Sequence, residues 1–152
     1  MNHDDYPDAY IAGILAKVRS VAVVGYSANP TRASSYVSAD LRARGYDVVP
    51  VNPGLAGKQV MGMEVVGSLR EAPRPVDMVD VFRNSEAAGG VVDEALALDP
   101  LPHAIWMQLG VRDDAAARRA EARGVKVVMD RCPKIELVRL RRLVEQARAA
   151  QA

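Results

Sequence analysis

A chain of 152 residues is the size of one domain, and at that size roughly 68–70% of the unfolded surface can be buried without disulfides or metals. Twenty Lys and Arg against 19 Asp and Glu leave a formal net charge of +1, so no global field recruits nucleic acid or a membrane surface, and any anion must be held by a local cluster. The one cysteine, Cys132, excludes a disulfide framework or a Cys-rich zinc site and suits a reducing compartment, with cytoplasm as the expected location.

The opening MNHDDYPDAY is acidic and lacks both a basic n-region and an apolar h-region, so it does not read as a signal peptide. Residues 1–7 are expected to be flexible, ahead of a helix at about 8–18. SVAVVG (20–25) then has the apolar β-formers of a buried strand and breaks at Gly25. A helical segment at 33–44 runs to Gly45, and YDVVPVN (46–52) follows as a second strand. The Gly- and Pro-rich stretch from Gly54 to Pro75 suggests a turn or small strand pair in place of a crossover helix. VDMVDVF (76–82), HAIWMQ (103–108) and VKVVMD (125–130) are three further strands, separated by helices at 84–97 and 113–123. A last helix is expected at 134–149, with Leu137, Leu140, Val144 and Ala147 on one stripe. That stripe suits packing on the protein's own sheet, and its flanking arginines alternatively suit an acidic protein partner.

Strand and helix alternating in this way imply a single α/β domain over 1–152. The expected fold is a Rossmann-like, doubly wound, parallel five-stranded sheet in the order 3-2-1-4-5, with helices on both faces. No apolar run approaches the roughly 18 residues of a membrane span. Ligands of such sheets lie outside the carboxyl ends of the strands, which selects loops 25–35, 52–58, 82–85, 107–112 and 130–134.

In the first loop, Gly25 lets a ligand approach the backbone, and the helix beginning near Ala33 aims free N–H groups at the same place. Ser27, Thr31, Ser34 and Ser35 add hydroxyls and Arg32 a planar cation, a set suited to phosphate; the same residues also suit a plain helix cap. The dinucleotide fingerprint G-x-G-x-x-G is absent, because positions 25, 27 and 30 are Gly, Ser and Pro. The second strand ends in Val51-Asn52-Pro53-Gly54 with no acid for the ribose hydroxyls. Arg32, Lys58 and Arg83 near the rim favour a nucleotide with an extra ribose phosphate, for which CoA and NADP both qualify.

The segments GYSANPTRAS, VPVNP, VDVFR, WMQLGV and VVMDRCPKIE, in this order, resemble the YccU-like family of small stand-alone CoA-binding proteins, related to the CoA-binding domain of the succinyl-CoA synthetase alpha subunit. The resemblance runs from about Ile14 to Glu136. It implies coenzyme A as ligand, with Gly25, Ser27, Asn29, Arg32 and Ser34 or Ser35 around its phosphates. It further implies Asn52 and Pro53 beside the nucleotide, Val81, Phe82 and Arg83 across the cleft, and Met107 and Gln108 along the pantetheine arm.

Chemistry beyond binding has few candidates. Cys132 follows Arg131 and precedes Pro133 at the start of the last helix, so it reads either as a redox thiol beside the CoA sulfur or as a small residue in a tight turn. His103 belongs at the strand edge opposite the ligand and His3 in the N-terminal segment, so neither suits a catalytic base. Ser27 lacks the G-x-S-x-G elbow because position 29 is Asn. Asp113 and Asp114 suit the N-terminus of a helix better than a metal pair. Strand alternation puts Trp106 and Met107 on opposite faces. The expectation is a non-enzymatic protein binding CoA or an acyl-CoA, with no nucleic acid or membrane partner. An NADP-dependent oxidoreductase and a regulatory interaction protein with a vestigial nucleotide site are the alternatives.

Overall fold

In the computed structural model, which describes residues 1–151, α1 (Asp8–Lys17) leads into β1 (Ser20–Val24), α2 (Ala33–Ala43) and β2 (Asp47–Val51). A two-stranded antiparallel ribbon, β3 (Gln59–Val60) and β4 (Met63–Glu64), occupies the Gly- and Pro-rich stretch where no crossover helix was expected. The chain continues through β5 (Met78–Val81), α3 (Ser85–Leu96), β6 (Ala104–Met107), α4 (Asp114–Ala122), β7 (Lys126–Val128), α5 (Pro133–Arg139) and α6 (Arg141–Gln151).

The five apolar runs pair into one parallel sheet because each is buried on both sides, the condition under which parallel strands form. Val21 is registered against both Val48 and Met78, and Ile105 against both Val79 and Val127. The order is β2-β1-β5-β6-β7, so the run at 78–81 lies beside β1, whereas the order 3-2-1-4-5 would put the third strand outside β2. That outer position is filled by one residue. Val66 makes a parallel bridge to Val51, donating its N–H to the Pro50 carbonyl and accepting from the Asn52 N–H, both at 3.0 Å. Counting Val66 as a strand would make six, so the five-stranded sheet runs 2-1-3-4-5 in chain order and the expected 3-2-1-4-5 is corrected; the Rossmann-like fold class stands.

Strand alternation divides the core in two. Val21, Val23, Met78 and Trp106 face α1, α2, α5 and α6 on one side, while Ala22, Val24, Val79, Val81, Ile105 and Met107 face α3 and α4 on the other. Trp106 and Met107 therefore point to opposite faces.

The N-terminal segment is docked rather than loose. Tyr6 is buried, accepts the Met129 N–H at 2.8 Å and hydrogen-bonds His3 Nδ1 at 2.6 Å, and His3 Nε2 meets Glu121 at 2.9 Å. The expected helix at 134–149 is two helices with a break at Leu140, whose backbone (φ −107°, ψ 19°) leaves the helical region for one residue. Its stripe of Leu137, Leu140, Val144 and Ala147 packs into the core of this same domain. No helix among the described residues is long and apolar enough to cross a membrane.

Candidate functional site

The chain leaves β1 for β2 on one side and later returns to place β5 on the other. The switch in strand order thus lies between the carboxyl ends of β1 and β5, where a crevice is expected in an open α/β sheet. Gly25 ends β1 at φ +89°, and Phe82 and Arg83 end β5 directly against it: a Cβ on residue 25 would stand 2.8 Å from the Phe82 carbonyl oxygen. The strand ends approach more closely than any side-chain-bearing residue at position 25 would permit.

The loop from Gly25 to Arg32 is shaped by its own polar groups. Ser34 Oγ accepts the Ser27 N–H at 2.9 Å, Ser27 Oγ accepts the Asn29 N–H at 3.1 Å, and Asn29 Oδ1 accepts both the N–H and the hydroxyl of Thr31. Ser27, Asn29 and Ser34 therefore build the loop before any ligand arrives. Ser35 is buried in the first turn of α2 beneath it. Arg32 is the N-cap residue of α2, yet its side chain is exposed and makes no capping bond, so its guanidinium stands free beside the leading amides of the helix. An anion there meets a helix N-terminus and a cation together.

A cavity opens on each side of this loop. The first, about 380 Å³, is lined by Gly25, Asn52, Pro53, Ser68, Leu69 and Arg83 among others. Asn52 ties its two walls: its amide nitrogen donates to the Tyr26 carbonyl at 2.7 Å and its Oδ1 accepts the Gly54 N–H at 2.8 Å. Ser68 Oγ is buried with no partner within the protein and so has a hydrogen bond to offer. The second cavity, about 600 Å³, lies towards α2 and α5; Ala33, Phe82, Gln108 and Cys132 line it. The two share no lining residue, but Phe82 of the larger and Arg83 of the smaller are consecutive and Phe82 abuts Gly25, which makes the cavities two halves of one candidate cleft.

Of the residues named from the sequence, Gly25, Asn52, Pro53 and Arg83 line the smaller cavity and Phe82, Gln108 and Cys132 the larger. Ser27, Asn29, Arg32, Ser34, Ser35 and Lys58 line neither: the first five belong to the loop and the start of α2, and Lys58 is exposed beyond β2. Val81 and Met107 are not at the surface at all: both are fully buried in the core beneath α3 and α4. Alternation explains the correction, since Phe82 and Gln108, one residue further along each strand, face the larger cavity in their place. Asp113 is the N-cap of α4, its Oδ1 accepting the Ala116 N–H at 3.0 Å, and Asp114 pairs with Arg112 at 2.8 Å.

Two buried carboxyls beside the larger cavity were not singled out in the sequence. Glu136 is 3% exposed and held by Arg139 at 2.6 Å and Arg131 at 3.4 Å, which fixes α5 as a cavity wall. Asp80 is wholly buried between Val23 and Trp106. With its amide nitrogen turned inward, Gln108 donates to both Asp80 oxygens, at 3.1 and 3.3 Å. The one available signal was a carboxyl inside VDMVDVF, a run otherwise apolar enough for a central strand.

Burial pushes the Asp80 carboxyl well above its usual range. A carboxyl that binds its proton more tightly folded than unfolded favours the native state at low pH. That contribution is lost as pH rises from the unfolded carboxyl range through the folded value. Asp80→Asn keeps a hydrogen-bonding side chain with no proton to lose. The difference in Tm, variant minus wild type, is expected to grow between about pH 5 and pH 8; a difference that stays flat over that range contradicts the assignment.

Comparison with known proteins agrees with this geometry. The chain is 38% identical to YneT of Bacillus subtilis (strain 168) over 127 residues, covering 84% of this chain and 91% of YneT. The solved structure of cell-free ID.343 from Thermus thermophilus superposes with a TM-score of 0.82 at 37% identity, covering 89% of this chain and 99% of that one. A dinucleotide forming acetyl-coenzyme A synthetase 1 from Ca. Korarchaeum cryptofilum shares the fold, with a TM-score of 0.63 at 22% identity over 73% of this chain and 25% of that one. The profile of the CoA binding domain matches residues 19–138, a span that holds the loop, the smaller cavity and all of the larger cavity's lining except Arg139, and the chain belongs to the CoA binding domain family.

Proposed function

We propose that this protein binds coenzyme A or an acyl-CoA without carrying out chemistry on it. In this reading the 3′-phospho-ADP part occupies the smaller cavity, the pyrophosphate rests on the loop and the α2 N-terminus, and the pantetheine arm enters the larger cavity. The observation that carries it is the placement of the two cavities about the Gly25–Phe82 contact: Gly25 and Arg83 line the smaller and Phe82 the larger, and the exposed Arg32 is next in the chain to Ala33 in the larger cavity's lining. An elongated ligand with charge at its middle matches that arrangement.

The non-catalytic part of this reading is supported by the lining of the two cavities. Neither cavity is lined by a histidine: His3 is bound to Tyr6 and Glu121, and His103 precedes β6 at the opposite edge of the sheet. Native mass spectrometry with equimolar CoA and NADPH tests the reading. A one-to-one CoA adduct is expected; an adduct with NADPH alone favours the oxidoreductase and sinks it.

Cys132 belongs to the same proposal as a thiol in the wall that the pantetheine sulfur would approach. With oxidised CoA, the Cys132 thiolate attacks the disulfide, forms a mixed disulfide and expels one CoA thiolate. Because Cys132 is only 5% exposed, the adduct is expected to form slowly and to be abolished by Cys132→Ser. An unchanged wild-type mass after prolonged incubation removes Cys132 from the redox reading.

A further inference from the structure

Seven large hydrophobic side chains are exposed among the described residues, and four of them line one cavity. Tyr36, Leu109, Ile135 and Val138, between 47% and 65% exposed, surround the mouth of the larger cavity, with Val37 and Phe82 deeper in its wall. Exposed apolar side chains scattered singly need no explanation, but a concentration of them around a concave site does. A pantetheine arm does not account for it. Its two amides and its hydroxyl call for polar partners, and the lining offers few beyond Gln108 and the rim cations.

The rim cations are themselves engaged. Arg139 is bonded to Glu136 at 2.6 Å and Asp8 at 2.8 Å, and the Lys134 ammonium lies over the Tyr36 ring, 5.1 Å from its centre. The mouth is therefore apolar with its charges already partnered, a poor match for a carboxylate-terminated acyl group. The cavity also adjoins the phosphate loop: Ala33 in its lining begins α2 directly after Arg32, and Phe82 packs its backbone against Gly25. Whatever lies in it can be covalently attached to what the loop holds.

We infer that the physiological ligand is an acyl-CoA with an apolar acyl chain of medium length, seated on Tyr36, Leu109, Ile135 and Val138. This rests on the CoA reading above and specifies the acyl group. The acyl chain covers the side chains that the apo protein leaves in water, and the thioester lies near Gln108 and Cys132. A burial of one methylene tightens binding by up to about fourfold.

Calorimetric titration of the full chain with CoA, acetyl-CoA, octanoyl-CoA and succinyl-CoA tests this. Octanoyl-CoA is expected to bind at least about thirtyfold more tightly than acetyl-CoA, a gain that needs only partial burial of its six additional methylenes. Val138→Asp and Ile135→Ser, both at exposed helix positions, are expected to cut that advantage to under about threefold, with the circular dichroism spectrum and Tm of each variant reporting an intact fold. Equal affinities for CoA, acetyl-CoA and octanoyl-CoA overturn the acyl assignment and leave the CoA reading standing. So does tightest binding of succinyl-CoA, or a homodimer that Val138→Asp dissociates while chain length has no effect. Failure of all four ligands to bind defeats the CoA reading itself.

Discussion

Gly25→Ala is expected to lower stability by about 2–4 kcal/mol and Tm by roughly 5–15 °C, and to weaken CoA binding by at least about tenfold. Two effects add at this residue. The backbone sits at φ +89°, where an L side chain costs about 1–2 kcal/mol. The new Cβ would also meet the Phe82 carbonyl oxygen at 2.8 Å and its carbon at 3.1 Å. Phe82 cannot retreat freely, because its N–H continues the ladder by donating to the Val24 carbonyl at 2.9 Å. The ends of β1 and β5 must part, which opens the loop that the ligand needs closed. Gly45→Ala separates strain from contact: Gly45 has φ +96° but nothing within 4 Å of its added Cβ. That variant is expected to lose only about 1–2 kcal/mol of stability with CoA affinity unchanged. Equal loss of affinity in the two variants contradicts the role given to the Gly25–Phe82 approach.

Arg32→Ala is expected to do the reverse, leaving stability within about 0.5 kcal/mol of wild type and weakening CoA by about 1.5–3 kcal/mol. The guanidinium is exposed at the N-cap of α2 and makes no capping bond, so the folded protein loses nothing when it is removed. A phosphate held by it loses a charge-assisted hydrogen bond. Because the site is open to solvent, the difference between wild type and variant should shrink as salt is raised. An unchanged CoA affinity at low salt removes Arg32 from the site. Arg83→Ala, acting from the wall of the smaller cavity, is a parallel test of the nucleotide end.

The large-scale fold was legible because its strands are apolar runs, and five of them in alternation with helices leave few topologies. The position of β5 was not. It pairs with β1, while only a single bridged residue, Val66, lies outside β2, and no local pattern in VDMVDVF or MEVVGSL distinguishes the two placements. The break at Leu140 is equally silent: no glycine or proline marks it, and the Leu140 N–H still bonds to the Glu136 carbonyl at 2.8 Å. The N-terminal segment looked flexible because its charge was read without its aromatics. Tyr6 and Tyr10 lie four residues apart and stack with ring centres 5.9 Å apart, and that spacing was the missed signal.

The smaller half of the cleft was readable from residues that end strands, among them Gly25, Asn52, Pro53 and Arg83. The larger half was not, because its far wall comes from α5, about a hundred residues beyond the loop. Ile135 and Val138 are three apart on the outer side of that helix and read as ordinary surface until α2 is set opposite them. The same gap caused the misplacing of Val81 and Met107. Alternation shows that neighbours face opposite sides, but not which side carries the cavity.

The central claim is that the cleft holds CoA by its phosphorylated ADP end, and calorimetric titration with CoA, dephospho-CoA and NADPH tests it most directly. The account predicts one CoA per chain, with affinity falling at least about tenfold on removal of the 3′-phosphate, the loss expected for one charge-assisted contact. Binding of NADPH with no heat from CoA, or equal affinities for CoA and dephospho-CoA, would contradict it.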